Sequence, residues 1–232
     1  MPTPSRTVRA RAPLFALLVA PLVLAGSLGA AAQPSPEVPA AEFAARLQRK
    51  YDTVRDFSAD FTQSYEGGVL RKKTTERGTV VVRKPGQMRW AYRQPEEKLF
   101  VSDGRRMYAW VPADRQVVVS EVPSADQATT PVLFLVGKGS LTRDFTVSYA
   151  TVVGAPPGSV ALRLVPVKRE PDYEWLVLVA DGATLTLRML VAGDAQGGTS
   201  TFTFANLREN VRPKDELFRF TIPRNADVIT RE

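Results

Sequence analysis

The chain has 232 residues, with 31 Lys and Arg against 24 Asp and Glu, a formal net charge of +7, and neither histidine nor cysteine. Disulfides, Ser-His-Asp and Cys-His catalysis, a His general base and HExxH zinc sites are thereby excluded, so the core alone must hold the fold. The basic excess is mild and spread along the chain, which does not point to nucleic acid.

Residues 1–12 carry Arg6, Arg9 and Arg11 and no acid, residues 14–25 (LFALLVAPLVLA) are apolar, and Ala30-Ala31-Ala32 supplies small residues of the kind a signal peptidase reads. Residues 1–32 therefore read as a cleavable signal peptide, and an exported protein is expected. The apolar run is far short of the roughly 20 residues a membrane-spanning helix needs. Ser27 follows Leu24-Ala25-Gly26 where a lipoprotein signal would need cysteine, so no lipid anchor is expected. Without its leader the chain's formal charge falls from +7 to +4, because the three arginines face no acid. Residues 33–39 (QPSPEVP) read as a linker, and 40–232 as one domain.

Residues 40–54 read as a helix, with Phe43, Leu47, Tyr51 and Val54 on one stripe and Arg46, Arg49 and Lys50 late, where cations suit the helix dipole. The period then changes to two. Phe57, Ala59, Phe61, Gln63 and Tyr65 alternate with Ser58, Asp60, Thr62 and Ser64, and Met88, Trp90 and Tyr92 with Gln87, Arg89, Ala91 and Arg93. Further strands are expected at 79–83, 98–102, 106–111, 116–122, 145–153, 160–165, 175–179, 184–190, 199–207 and 217–221. Asp103-Gly104 and Asp181-Gly182 mark hairpin turns whose positions must tolerate positive φ. The pattern predicts a mainly β fold, an antiparallel sandwich or barrel of about eleven strands.

One segment breaks the pattern. Thr129-Thr130-Pro131 reads as a helix start, followed by 132–136 (VLFLV) and by Gly137 and Gly139 as stops. A two-turn helix apolar on every side fits a buried segment or a cover over an apolar opening, and a buried strand fits as well.

The chain holds no GxGxxG, P-loop or GxSxG pattern. Its acids (Glu96-Glu97, Asp114, Asp126, Asp172 and Glu174) lack metal-ligand spacing, so no catalytic residue, cofactor or metal is expected. The oversized apolar side chains along the strands (Phe57, Phe61, Met88, Trp90, Leu99, Met107, Trp110, Trp175, Met189, Phe202 and Phe204) fit either a filled core or a cavity for a flexible apolar ligand. Arg83-Lys84-Pro85 at a strand end reads first as a solvated turn.

Several stretches, in order, resemble the periplasmic outer-membrane lipoprotein carrier protein family. They are Phe57-Ser58-Ala59-Asp60-Phe61-Thr62-Gln63 as the first strand, then Gly78, Lys84-Pro85-Gly86-Gln87-Met88-Arg89-Trp90, Gln94-Pro95 and Val101-Ser102-Asp103-Gly104. Thr130-Pro131 with its apolar run resembles that family's lid helix, and 202–206 and 218–223 its closing strands. The resemblance implies a half-open antiparallel β-barrel with an N-terminal helix and a short apolar helix as lid. It implies a monomeric periplasmic carrier, not an enzyme, that takes acylated lipoproteins from an inner-membrane lipoprotein-release complex to an outer-membrane acceptor. Phe61, Met88, Trp90, Met107, Trp110, Leu133 and Phe134 would line the lipid cavity. The family's arginine before the proline, which latches the lid, corresponds here to Lys84. Arg83, one position earlier, points to the opposite face and cannot simply substitute. A lysine lacks the planar fork of arginine, so a more easily opened latch is expected. Two alternatives remain: an envelope lipid- or lipoprotein-sensing module of the same fold, and a His-free periplasmic hydrolase.

Overall fold

Helix α1 (Ala40–Thr53) starts at Pro39, whose carbonyl accepts from the amides of Glu42 and Phe43, and it buries Phe43, Ala44, Leu47 and Tyr51 on one stripe. Glu42 in its first turn and Lys50 in its last match the helix dipole. The structure, a computed structural model, describes residues 38–69, 71–122, 139–170 and 173–231. The expected signal peptide and the apolar segment at 129–138 lie outside the described residues.

Twelve strands among these residues form one sheet: β1 (Asp56–Glu66), β2 (Lys73–Arg83), β3 (Gln87–Gln94), β4 (Lys98–Asp103), β5 (Arg106–Val111), β6 (Gln116–Glu121), β7 (Phe145–Ala150), β8 (Ser159–Pro166), β9 (Trp175–Asp181), β10 (Leu187–Gly193), β11 (Thr199–Glu209) and β12 (Asp227–Arg231). Their order is β12-β6-β5-β4-β3-β2-β1-β11-β10-β9-β8-β7. The pairing of β1 with β11 joins two meanders, and the edges β12 and β7 do not pair with each other. This is the expected half-open, mainly antiparallel barrel.

Three local expectations are corrected. The alternating run at 217–221 is not a strand: Asp215–Phe218 forms a 3-10 turn, and the chain around it lies against β3 and β4. The twelfth strand is β12, which pairs in parallel with β6. The Asp-Gly turns do not hold both residues at positive φ. Gly104 is at +96°, while at the second turn Leu185, at +59°, takes the left-handed position. The carboxylates organise both turns instead. Asp103 accepts from the amides of Arg105 and Arg106 (2.8 Å each), and Asp181 from those of Ala183 and Thr184 (3.1 and 2.8 Å). Those hydrogen bonds hold the Asp181 carboxyl down at about 2.

The alternation of the strands divides the side chains between two faces. The inner face packs under α1 into one cluster that includes Leu47, Tyr51, Phe57, Phe61, Val80, Trp90, Leu162, Leu178, Leu190 and Phe204. On the outer face a smaller cluster (Ala161, Val177, Val179, Met189 and Val191) sits on β8–β10. Elsewhere on that face Phe218 is fully buried, Tyr108 meets Phe220 at 5.3 Å, and Arg83 stacks 4.6 Å over the Phe218 ring. A one-turn helix, α2 (Leu141–Asp144), is tied to α1 by the Gln48 side-chain oxygen, which accepts from the Leu141 amide at 2.8 Å.

Candidate functional site

Strand register brings large apolar side chains from four strands together. Phe61 on β1 lies opposite Gly78 on β2 and Phe204 on β11, and Trp90 on β3 lies between Val80 and Phe100. The rings meet edge to face: Phe61 to Trp90 at 5.0 Å, Phe61 to Tyr92 at 4.8 Å, and Trp90 to Phe202 at 5.4 Å. Such contacts exceed simple area burial by about 0.5–1.5 kcal/mol each. Gly78 makes the close approach possible, since a Cβ there would overlap the Ala91 carbonyl and the Phe61 ring.

Polarity changes along the inner face. Toward the carboxyl end of α1 the same-face neighbours are Phe57, Ala59, Val82 and Met88, all buried, with one buried hydroxyl, Ser102, which donates to the Gly86 carbonyl. In the other direction they are Gln63, Tyr92, Glu76, Lys98 and Ser200. The Tyr92 hydroxyl donates to Gln63 Oε1 (2.6 Å), and Gln63 Nε2 donates to Ser200 (3.1 Å). Lys98 pairs with Glu76 and lies 5.3 Å from the Tyr92 ring centre. Burial, with the Glu76 charge adding to it, pushes the Tyr92 phenol well above its ordinary value.

Phe61, Met88 and Trp90 are thus placed together at 3%, 8% and 4% exposure, and Met107 packs half-buried against the same cluster. Trp110 does not join them. It lies an odd number of residues from Met107 on β5, pairs with Leu99 and Val117, and faces the outer side. Leu133 and Phe134 lie outside the described residues. The lining set that the resemblance implies leaves out Tyr92, Phe100, Phe202, Phe204 and Gln63, although Phe202 and Phe204 stand among the oversized apolar side chains of the strands. Tyr92 and Gln63 lie two residues from one already in that set, Phe100 and Phe204 lie directly opposite one, and Phe202 lies opposite Gln63.

The Lys84 ammonium donates to the carbonyl of Tyr51 in the last turn of α1. Burial lowers its pKa, and the nearby Asp52 charge opposes that shift. Arg83 goes the other way, to Gln87 (2.8 Å), the Pro213 carbonyl (3.2 Å) and Asp215 (2.6 Å). Among the described residues no group of three or more acids could hold a metal ion, and no helix is long and apolar enough to cross a membrane.

The arrangement is a buried aromatic interior filled by its own side chains, with a polar fringe at one end and a helix tethered over it. The model of the family of the outer membrane lipoprotein carrier protein LolA matches residues 52–221. An outer-membrane lipoprotein carrier protein of Cupriavidus pinatubonensis is 29% identical over 187 residues, covering 79% of this chain and 85% of that protein. One of Bordetella avium is 31% identical over 178 residues, covering 76% and 81%. Among solved structures, an uncharacterized conserved protein from Thermus thermophilus aligns with a TM-score of 0.50 at 14% identity, over 82% of this chain and 99% of that one.

Proposed function

The chain belongs to the outer membrane lipoprotein carrier (LolA) family, and from that premise we propose that it is a periplasmic carrier that binds the acyl chains of lipoproteins leaving the inner membrane and delivers them to the outer membrane. It works by binding and release, without chemical conversion of its cargo. An inner-membrane release complex supplies the cargo and an outer-membrane acceptor receives it.

The observation that carries this reading is the largely apolar inner face, aromatic at its centre and bordered by Gln63, Tyr92 and Lys98 at one end. An acyl chain of about 16 carbons resists entering water by on the order of 12 kcal/mol, at about 0.8 kcal/mol per CH₂. A carrier across an aqueous gap must therefore offer equivalent apolar surface. The rings that fill the interior here must then separate to admit the chains. Their mutual packing favours the empty, closed state and helps expel cargo, so no nucleotide is needed on the carrier.

The test uses inner-membrane vesicles and a fluorescent fatty acyl probe. The purified protein is expected to bind the probe and to release acylated lipoprotein from the vesicles in soluble complex. Failure of both would overturn the reading.

A further inference from the structure

We infer that the Trp90 indole N–H donates to an acyl carbonyl of the cargo, which lies with its tails toward Phe57 and Met88 and its polar backbone toward Gln63 and Tyr92. The inference rests on the acyl-carrier reading above.

Trp90 is 4% exposed, and its Nε1 is a fully buried donor with no hydrogen-bond partner among the described residues. Buried tryptophan N–H groups ordinarily find an acceptor. Here the neighbours are Phe61, Phe202 and Phe204, whose ring faces are at best second-order acceptors. Acceptor oxygens on the same face are already engaged: Gln63 Oε1 accepts from the Tyr92 hydroxyl, and Ser102 accepts from the Gly104 amide. The indole can only donate, so what fits it is an acceptor carried in from outside.

The surroundings narrow the chemistry. An acylated lipoprotein presents long hydrocarbon tails, then ester and amide carbonyls, then a polar glyceryl and peptide backbone. The inner face runs in the same order. Phe57, Ala59, Val82 and Met88 are apolar, with Ser102 the one hydroxyl beside them; Trp90, level with Ala59, adds one donor; Tyr92 follows two residues further along β3, about 6.6 Å on, and its hydroxyl donates to Gln63, four residues beyond Ala59 on β1. A pure hydrocarbon would leave the N–H unsatisfied, whereas an acyl carbonyl would satisfy it and fix how deep the tails sit.

Two probes with matched chains isolate the carbonyl: dipalmitoylglycerol, an ester, and dihexadecylglycerol, an ether. Displacement of a solvatochromic apolar dye from the full chain reads their affinities. The wild type is expected to prefer the ester about tenfold, or about 1.4 kcal/mol. Trp90→Phe is expected to erase the preference while still binding the ether. Equal ester preference in both proteins, or none in the wild type, would overturn the inference and leave the carrier reading standing. If neither probe displaces the dye from the wild type, the carrier reading falls and this inference with it. A second measurement does not depend on the variant folding. The chain has 3 tryptophans, and Trp110→Phe and Trp175→Phe assign their indole N–H signals by NMR. The ester should move the Trp90 N–H proton downfield and the ether should not. An unmoved Trp90 signal in the ester complex would refute the contact.

Discussion

The Lys84 ammonium donates to the Tyr51 carbonyl and so joins the turn after β2 to the carboxyl end of α1. The adjacent Arg83 is committed to the opposite face, where it holds the C-terminal segment. Two neighbouring cations thus secure two different coverings of one sheet, which gives their substitutions separate readouts.

Lys84→Leu removes a charged donor at the negative end of a helix. The closed arrangement should lose about 1–2 kcal/mol. Amides of the last turn of α1 should exchange faster, and acyl probe should dissociate more slowly, because the open form gains population. Lys84→Arg should restore protection, as its fork also reaches a carbonyl. Hand-over at wild-type rate in Lys84→Leu would show that this contact does not latch the protein.

Arg83→Ala should loosen the segment at 213–222 and leave acyl binding unchanged. Asp215 is 67% exposed, so the ion pair itself contributes little. Most of the expected loss, about 1–2 kcal/mol, comes from the stack on Phe218 and the bond to the Pro213 carbonyl. Limited proteolysis should cut near 213–222 sooner than in the wild type. A matching loss of acyl affinity would mean that the two faces are coupled.

Gly78→Ala places a methyl against the Ala91 carbonyl and the Phe61 ring. Overpacking of this kind costs about 1–3 kcal/mol. For a domain of this size, Tm should fall by about 3–10 °C in a thermal melt. An unchanged Tm would mean that β2 and β3 separate there at little cost.

Alkali should destabilise the domain. Burial raises the Tyr51 and Tyr92 phenols well above their ordinary 10.0. The unfolded chain releases these protons first, so their contribution to stability is whole below about pH 10 and is lost as pH rises further. Lys84 acts in the opposite sense, because burial lowers its pKa below 10.5. Tyr92→Phe should flatten the fall in Tm above pH 10, and an unflattened slope would assign the alkaline loss elsewhere.

Much of this was legible from spacing alone. The stripe of Phe43, Leu47 and Tyr51 marks α1, and strict alternation from Phe57 to Tyr65 marks β1 and its inward face. The same alternation separates Met107 from Trp110, so grouping them by size discarded information that the sequence contains. The run at 217–221 alternates as a strand does, yet its backbone lies against the outer face, a tertiary choice that propensity does not record. Strand β12 offers only Val228 and Ile229 as apolar residues, and its pairing depends on the exposed edge of β6. The unsatisfied indole of Trp90 is a fact of three-dimensional packing and leaves no trace in residue order.

The missing pairing between β7 and β12 has a mechanical consequence. A closed barrel has a girth fixed by its hydrogen-bond ladder, and widening it means breaking strands apart. This sheet has a seam instead. Its lumen can swell by a change of twist while every ladder stays intact, so the resistance to swelling resides in side-chain contacts across the interior. Those contacts are what hydrocarbon entering the interior would have to displace.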